Sequence, residues 1–248
     1  MQINKIDIFL LPIIMLILAL WVWFDGSNTS TFIYINTLSF LANKSLWANI
    51  TIFGDALVLL SLLALLVRYK PRWVLAGLIA AIISGIIIQL MKYGFDIDRP
   101  TAILENTKLF LVGNPPSHRS FPSGHTASIF VFISIIFLSI RSKILAVFAL
   151  CLAILVGLSR IMVAAHWPID LLVGASIGWI CGFLGIYFSK KIEQINKTLL
   201  IFMNLFILLA SVLLFFHKTG YEDAFITQMI IASSMSGLSL WNLYAFRK

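Results

Sequence analysis

Apolar residues in this chain come in long runs separated by short polar gaps. A helix of about 20 apolar residues is long enough to cross the hydrocarbon core of a bilayer. Eight runs reach or approach that length: residues 8–24, 52–67, 73–92, 124–140, 143–159, 169–188, 198–216 and 225–245. They predict an all-α fold, a polytopic bundle of about eight membrane helices. The first run ends in Trp21, Trp23, Phe24 and Asp25, which does not resemble a small-residue cleavage site. It is expected to stay as a span and not to be removed as a signal peptide. Residues 31–49 differ from the runs: Phe32, Ile33, Ile35, Leu38, Phe40, Leu41, Leu46 and Trp47 alternate with Asn, Ser, Thr and Lys. That mixture predicts an interfacial helix lying along a leaflet.

Composition supports a membrane protein. Hydrophobic residues make up 60% of the 248 positions and charged residues 11%, against about 25% charged in a soluble domain. The net charge of +8 is not a nucleic-acid signature, because the basic residues fall in short clusters between apolar runs. Those clusters set an orientation. Lys5, Arg68, Lys70, Arg72, Arg141, Lys143, Lys190, Lys191, Lys197, Arg247 and Lys248 all fall on one side of an eight-span bundle. An excess of Lys and Arg marks the cytoplasmic side, so both termini are expected there. Cys151 and Cys181 lie inside apolar runs with no other ligand nearby. They read as small buried residues, not as a metal or disulfide pair.

Three short strings on the opposite side carry the chemistry: Lys92 to Pro100 (KYGFDIDRP), Pro122 to His125 (PSGH) and Ser159 to Asp170 (SRIMVAAHWPID). Ionisable groups near membrane depth are costly and need partners. Three cations, two imidazoles and a carboxylate suit a phosphate group. Lys92, Arg99 and Arg160 would neutralise its oxygens, Arg as a planar fork and Lys as a point charge. Pro122-Ser123-Gly124-His125 opens an apolar run, and free N–H groups at a helix start bind anions. Gly124 would let the backbone approach, Ser123 would add a hydroxyl donor, and His125 would act as general acid toward the leaving oxygen. His166 and Asp170 are four apart, about one helical turn. The carboxylate would fix one imidazole nitrogen and leave the other free to attack. His118 and Arg119 could touch a second phosphate or a sugar headgroup, or face solvent. Asp96 and Asp98 would pair with Arg99 or face water. The turn-rich loop 101–121 would cover the site.

The pattern K-x6-R-P, P-S-G-H, S-R-x5-H-x3-D resembles that of the type 2 phosphatidic acid phosphatase superfamily, which also includes soluble vanadium haloperoxidases. All eleven specified positions are present in order, over about 80 residues. The resemblance implies a six-helix core over residues 1–190, with residues 191–248 as an added C-terminal transmembrane hairpin. It implies a metal-independent, cofactor-free phosphatase working through a phosphohistidine. His166 is then the nucleophile, His125 the acid and Asp170 the orienting carboxylate, with Lys92, Arg99, Ser123, Gly124 and Arg160 as phosphate ligands. The haloperoxidase branch is soluble and does not fit. Undecaprenyl diphosphate is the favoured substrate, beside phosphatidylglycerophosphate, phosphatidic acid and lipid A phosphate. The site would face the non-cytoplasmic side of a bacterial inner membrane. The competing class is a non-catalytic protein that binds or transports anionic lipids, which needs cations but no oriented nucleophile. The hairpin reads as a structural accessory; Ser233, Ser234, Ser236 and Gly237 make a dimer contact or a lipid wall its alternatives.

Overall fold

The computed structural model describes residues 5–105 and 108–247. Its helices are α1 (Lys5–Phe24), α2 (Asn28–Leu38), α3 (Lys44–Thr51), α4 (Ala56–Leu62), α5 (Pro71–Phe95), α6 (Pro100–Ile103), α7 (Gly124–Ser139), α8 (Lys143–Met162), α9 (Pro168–Lys191), α10 (Lys197–Leu214) and α11 (Phe225–Arg247). Among the described residues there is no strand. Every apolar run falls on a helix. Among the described residues six helices are long and apolar enough to cross a membrane, or seven if a bent pair counts as one span, and α7, with 16 residues, is shorter. Large apolar side chains such as Phe9, Ile13, Ile17, Phe202, Phe206 and Leu209 point outward, as lipid-facing surfaces require.

Two expectations change in detail. The run at 52–67 is not one straight span: Lys44–Gly54 and Ala56–Leu65 form a pair bent by 67°. The break has a cause. The Asp55 carboxylate accepts from the backbone N–H groups of Leu57 at 2.8 Å and Val58 at 3.4 Å, capping a new helix where the old one ends. The segment 31–49 likewise splits into α2 and α3, with Asn43 capping the second through Leu46 N–H at 2.7 Å. It is also pinned to the bundle. Asn36 is buried, donates to the carbonyls of Ile161 at 3.0 Å and Phe110 at 3.2 Å, and accepts from Phe110 N–H at 2.9 Å.

Helix α9 sits at the centre, packed on α7, α5 and α1. The packing is close because α9 carries glycines four apart. A Cβ on Gly174 would lie 2.6 Å from the Ser123 carbonyl; one on Gly178 would strike the Ala127 carbonyl, and one on Gly182 the Ser134 hydroxyl. Small residues let backbones approach in this way where lipid supplies no hydrophobic drive. Helix α1 is tied to α9 by a repair. Pro12 lacks the N–H that would bond the Ile8 carbonyl, and the Trp179 indole donates to that carbonyl instead, at 3.1 Å. At the end of α9 far from the motifs, Arg72 donates to the carbonyls of Ser189 at 2.5 Å and Ile192 at 2.8 Å.

The hairpin α10–α11 packs on itself and on α4. Asn204 donates to the Ser239 carbonyl at 2.8 Å, and Asn242 to the Ala64 carbonyl at 3.0 Å. Ser233 and Ser234 are exposed, and a Cβ on Gly237 would meet nothing within 4 Å. Cys181 is buried, whereas Cys151 lies on an exposed face.

Candidate active site

Four helix ends meet at one end of the bundle. The C-terminal turn of α5 brings Lys92, the start of α7 brings Gly124 and His125, the end of α8 brings Arg160, and the start of α9 brings Asp170 just after His166. A cavity of about 290 Å³ is lined by Lys92, Arg99, Gly124, His125, Arg160 and His166. The strings that are far apart in sequence therefore share one wall.

The loop 104–123 holds the cations from outside. Its carbonyls accept from Arg99 Nε (His118, 3.1 Å) and Lys92 Nζ (Arg119, 2.8 Å), and the Ser117 carbonyl accepts from the Arg99 backbone at 2.8 Å. Asn114, Pro115 and Pro116 line the cavity. Asp98 pairs with His118 at 2.5 Å, and Asp96 lies 3.7 Å from Arg119. Neither acid is paired with Arg99, whose Nη1 donates instead to the Ala165 carbonyl at 2.9 Å. His118 and Arg119 are themselves taken up in these pairs, and Arg119 also stacks on Tyr93 at 4.1 Å.

His166 is fully buried and its two nitrogens are distinct. Nε2 lies 3.3 Å from Arg99 Nη1. Arginine has donors only, so Nε2 is the acceptor and carries the lone pair. Nδ1 then holds the proton and donates to Asp170 Oδ2 at 3.2 Å. Asp170 is in turn fixed by the Trp167 backbone N–H at 2.9 Å and by the Ser120 hydroxyl. Burial, followed by the charges of Arg99 and Arg160, lowers the His166 pKa well below 6.5. A lowered value means the ring loses its proton early as pH rises. The Nε2 lone pair therefore stays available at neutral pH and is removed only when pH falls through that lowered value. Ring NMR in detergent is expected to show His166 neutral at pH 6.5; a titration midpoint at or above 6.5 would contradict the electrostatics.

Arg160 is buried, and its Nη1 donates to Thr51 Oγ1 at 2.6 Å and Tyr221 Oη at 2.7 Å. Its Nε has no hydrogen-bond partner. Ser123 is placed differently from a cavity donor. It is fully buried, and its Oγ caps α7 by accepting from Thr126 N–H at 3.3 Å and Thr126 Oγ1 at 2.9 Å. Helix α7 thus begins after Pro122, at Gly124, and the first N–H groups of a helix have no partner inside it.

A second cavity, of about 270 Å³, adjoins the first through Ile88, Gln89, Gly124 and His125. It runs between α4, α5 and α7 and is walled mostly by apolar side chains, among them Leu59, Leu60, Leu63 and Phe132. Gly85 on its rim is exposed, and an added Cβ there would meet nothing within 4 Å.

Comparison with known proteins agrees with this arrangement. The model of the PAP2 superfamily matches residues 73–194, the stretch that holds all three strings. The chain belongs to the PAP2 superfamily. Its relatives in that superfamily are membrane lipid phosphatases. An undecaprenyl-diphosphatase of Sulfolobus acidocaldarius is 27% identical over 208 residues, which is 79% of this chain and 100% of the relative. The crystal structure of Aquifex aeolicus LpxE is 29% identical with a TM-score of 0.58, covering 64% of this chain and 94% of that one. A transmembrane PAP2 type phosphatidylglycerolphosphate phosphatase from Bacillus subtilis is 25% identical with the same TM-score of 0.58, covering 77% and 100%.

Several residues at the site carry no motif signal. Ser120 holds Asp170, Thr51 and Tyr221 hold Arg160, and Asp55 holds His217 at 3.0 Å. His217 is thus docked on the core, and its bond to Asp55 raises its pKa.

Proposed function

We propose that this protein hydrolyses a lipid phosphate or diphosphate through a phosphohistidine on His166. The observation that carries the reading is the His166 ring: Nδ1 faces Asp170 and Nε2 faces the cation-lined cavity. Nε2 attacks the terminal phosphorus, and the bond from that phosphorus to its leaving oxygen breaks, releasing a lipid alcohol from a monophosphate or a lipid monophosphate from a diphosphate. Lys92, Arg99, Arg160 and the free N–H groups at the start of α7 stabilise the charge that builds on the phosphoryl oxygens. Ser123 sets that helix start. His125 gives its proton to the leaving oxygen. Water then attacks phosphorus, His125 takes the water proton, the P–N bond breaks, and inorganic phosphate and neutral His166 return. The cations do the work of neutralisation, which supports a metal-independent reaction.

The adjoining apolar cavity supports a substrate whose phosphate is attached to a long hydrocarbon. The basic clusters lie at the helix ends away from the site, which supports a non-cytoplasmic active site with both termini cytoplasmic. The full-length match to an undecaprenyl-diphosphatase favours undecaprenyl diphosphate. Phosphatidylglycerophosphate, phosphatidic acid and lipid A phosphate are the alternatives. The test is phosphate release from these four lipids by the purified protein in detergent with EDTA present. Release from at least one, at a rate unchanged by the chelator, is expected. Binding of every lipid with release from none would leave an anion-binding protein and sink the phosphatase reading.

A further inference from the structure

The loop between α10 and α11 lies beyond the stretch matched by the superfamily model, yet it reaches the site. Thr219, Gly220 and Tyr221 line the cavity beside Arg160 and His166. Three attachments hold the loop there. Tyr221 is buried and its hydroxyl accepts from Arg160 Nη1 at 2.7 Å. His217 meets the Asp55 carboxylate at 3.0 Å. Gly220 abuts Gly113 so closely that a Cβ on Gly113 would strike the Gly220 carbonyl.

The Arg160–Tyr221 bond has a direction. Arginine only donates, so the tyrosine oxygen is its acceptor and the phenolic hydrogen remains to be given elsewhere. Among the described residues none accepts that hydrogen, and the space beside it is the cavity. Thr51 takes the other bond from Nη1. With Nη1 fixed twice, the guanidinium is held in one plane beside the cavity, its buried Nε still without a hydrogen-bond partner. A preorganised donor of this kind stabilises charge without reorganising during reaction.

We propose that Tyr221 is a positioning residue for Arg160 and a hydroxyl donor to the bound phosphoryl group, which makes the C-terminal hairpin part of the active site. This inference rests on the phosphatase reading above. It assigns the loop 215–221 the role of outer wall, so that the phosphoryl group is enclosed between it and the 113–116 segment.

The test is Tyr221→Phe, which keeps the ring and removes the hydroxyl. Loss of a hydrogen bond to the charged phosphoryl group should lower kcat by roughly 10–100-fold, with KM changed less than about threefold. Orthovanadate, which mimics the phosphoryl group in transfer, should bind about tenfold more weakly by calorimetry. The melting temperature in detergent should hold. Gly113→Ala keeps the Tyr221 hydroxyl but displaces the loop that carries it, since its Cβ would strike the Gly220 carbonyl and crowd Tyr221 Cδ1 at 3.1 Å; it should lower kcat in the same direction even if Tyr221→Phe fails to fold. Wild-type kcat and vanadate affinity in Tyr221→Phe, while His166→Ala is inactive, would overturn the inference and leave the phosphatase reading standing. A fall in melting temperature with unchanged vanadate affinity would overturn it too, by making Tyr221 a packing residue. If the wild-type protein releases no phosphate from any lipid, the phosphatase reading fails, and vanadate affinity still decides whether Tyr221 serves an anion held by Arg160.

Discussion

His166→Ala is expected to cut phosphate release by roughly 10⁴-fold or more, the scale seen when a covalent nucleophile is removed from a preorganised site. The substitution deletes the proposed nucleophile from the wall of the cation-lined cavity, and it leaves Lys92, Arg99 and Arg160 in place. Binding of a lipid phosphate should therefore survive while turnover does not. Asp170→Asn gives a graded companion. The amide can still occupy the space and accept from Trp167 N–H. It no longer offers His166 a full negative charge, and its NH2 group competes for Nδ1. That favours the wrong tautomer, and a loss of about 10²–10⁴-fold is expected. Release of inorganic phosphate under single-turnover conditions measures both, and trapping of acid-labile phosphate on the wild-type protein but not on His166→Ala would identify the phosphohistidine. Wild-type turnover in His166→Ala would rule out this mechanism.

The second large effect is structural. In Gly178→Leu the new side chain has to enter where the Ala127 carbonyl and the Phe130 Cβ already sit. A backbone carbonyl cannot step aside as a flexible side-chain tip can, so α9 must move away from α7. Overpacking of this kind costs about 1–3 kcal/mol and often more. The functional loss should be larger still, because α7 carries His125 and α9 begins just after His166. A displacement of about 1 Å between reacting groups is enough for a loss near 10²-fold. Gly237→Ala is the control: it lies in α11, has open space around its Cβ position, and replaces a helical glycine, so no loss is expected. A Gly178→Leu protein with the wild-type melting temperature and activity would show that the α7–α9 contact is looser than described.

The helical bundle was legible because lipid imposes one rule along the whole chain: backbone groups must be satisfied inside each span, so apolar length translates directly into helices. The site was legible as far as it rests on ionised groups in apolar surroundings. Lys92, Arg99, Arg160, His125, His166 and Asp170 stand out there, and the structure brings them to one place. What holds them was not legible. Ser120, Thr51 and Tyr221 are ordinary residue types whose partners lie 50, 109 and 61 positions away, and no local spacing encodes such a bond. Ser123 shows the opposite limit, since the hydroxyl that reads as an anion donor also accepts as the cap of α7, a second use that its motif does not announce. The split of residues 31–49 was hidden because an amphipathic pattern does not reveal that one polar residue, Asn36, is buried on two carbonyls. The glycines at 174, 178 and 182 did carry a readable signal, a spacing of four on a single helix, which marks a close helix contact.

The two cavities share only Ile88, Gln89, Gly124 and His125. A molecule that is hydrocarbon at one end and phosphate at the other would straddle that boundary, with the scissile bond beside the His125 ring. Once the bond breaks, its halves have separate exits. On the phosphatase reading the lipid product, an alcohol from a monophosphate or a lipid phosphate from a diphosphate, would slide sideways into the bilayer past Gly85, while inorganic phosphate would leave on the side lined by the 114–116 and 219–221 segments. Neither product has to pass the other, so a full membrane on one side and a slow phosphate on the other would inhibit by independent routes.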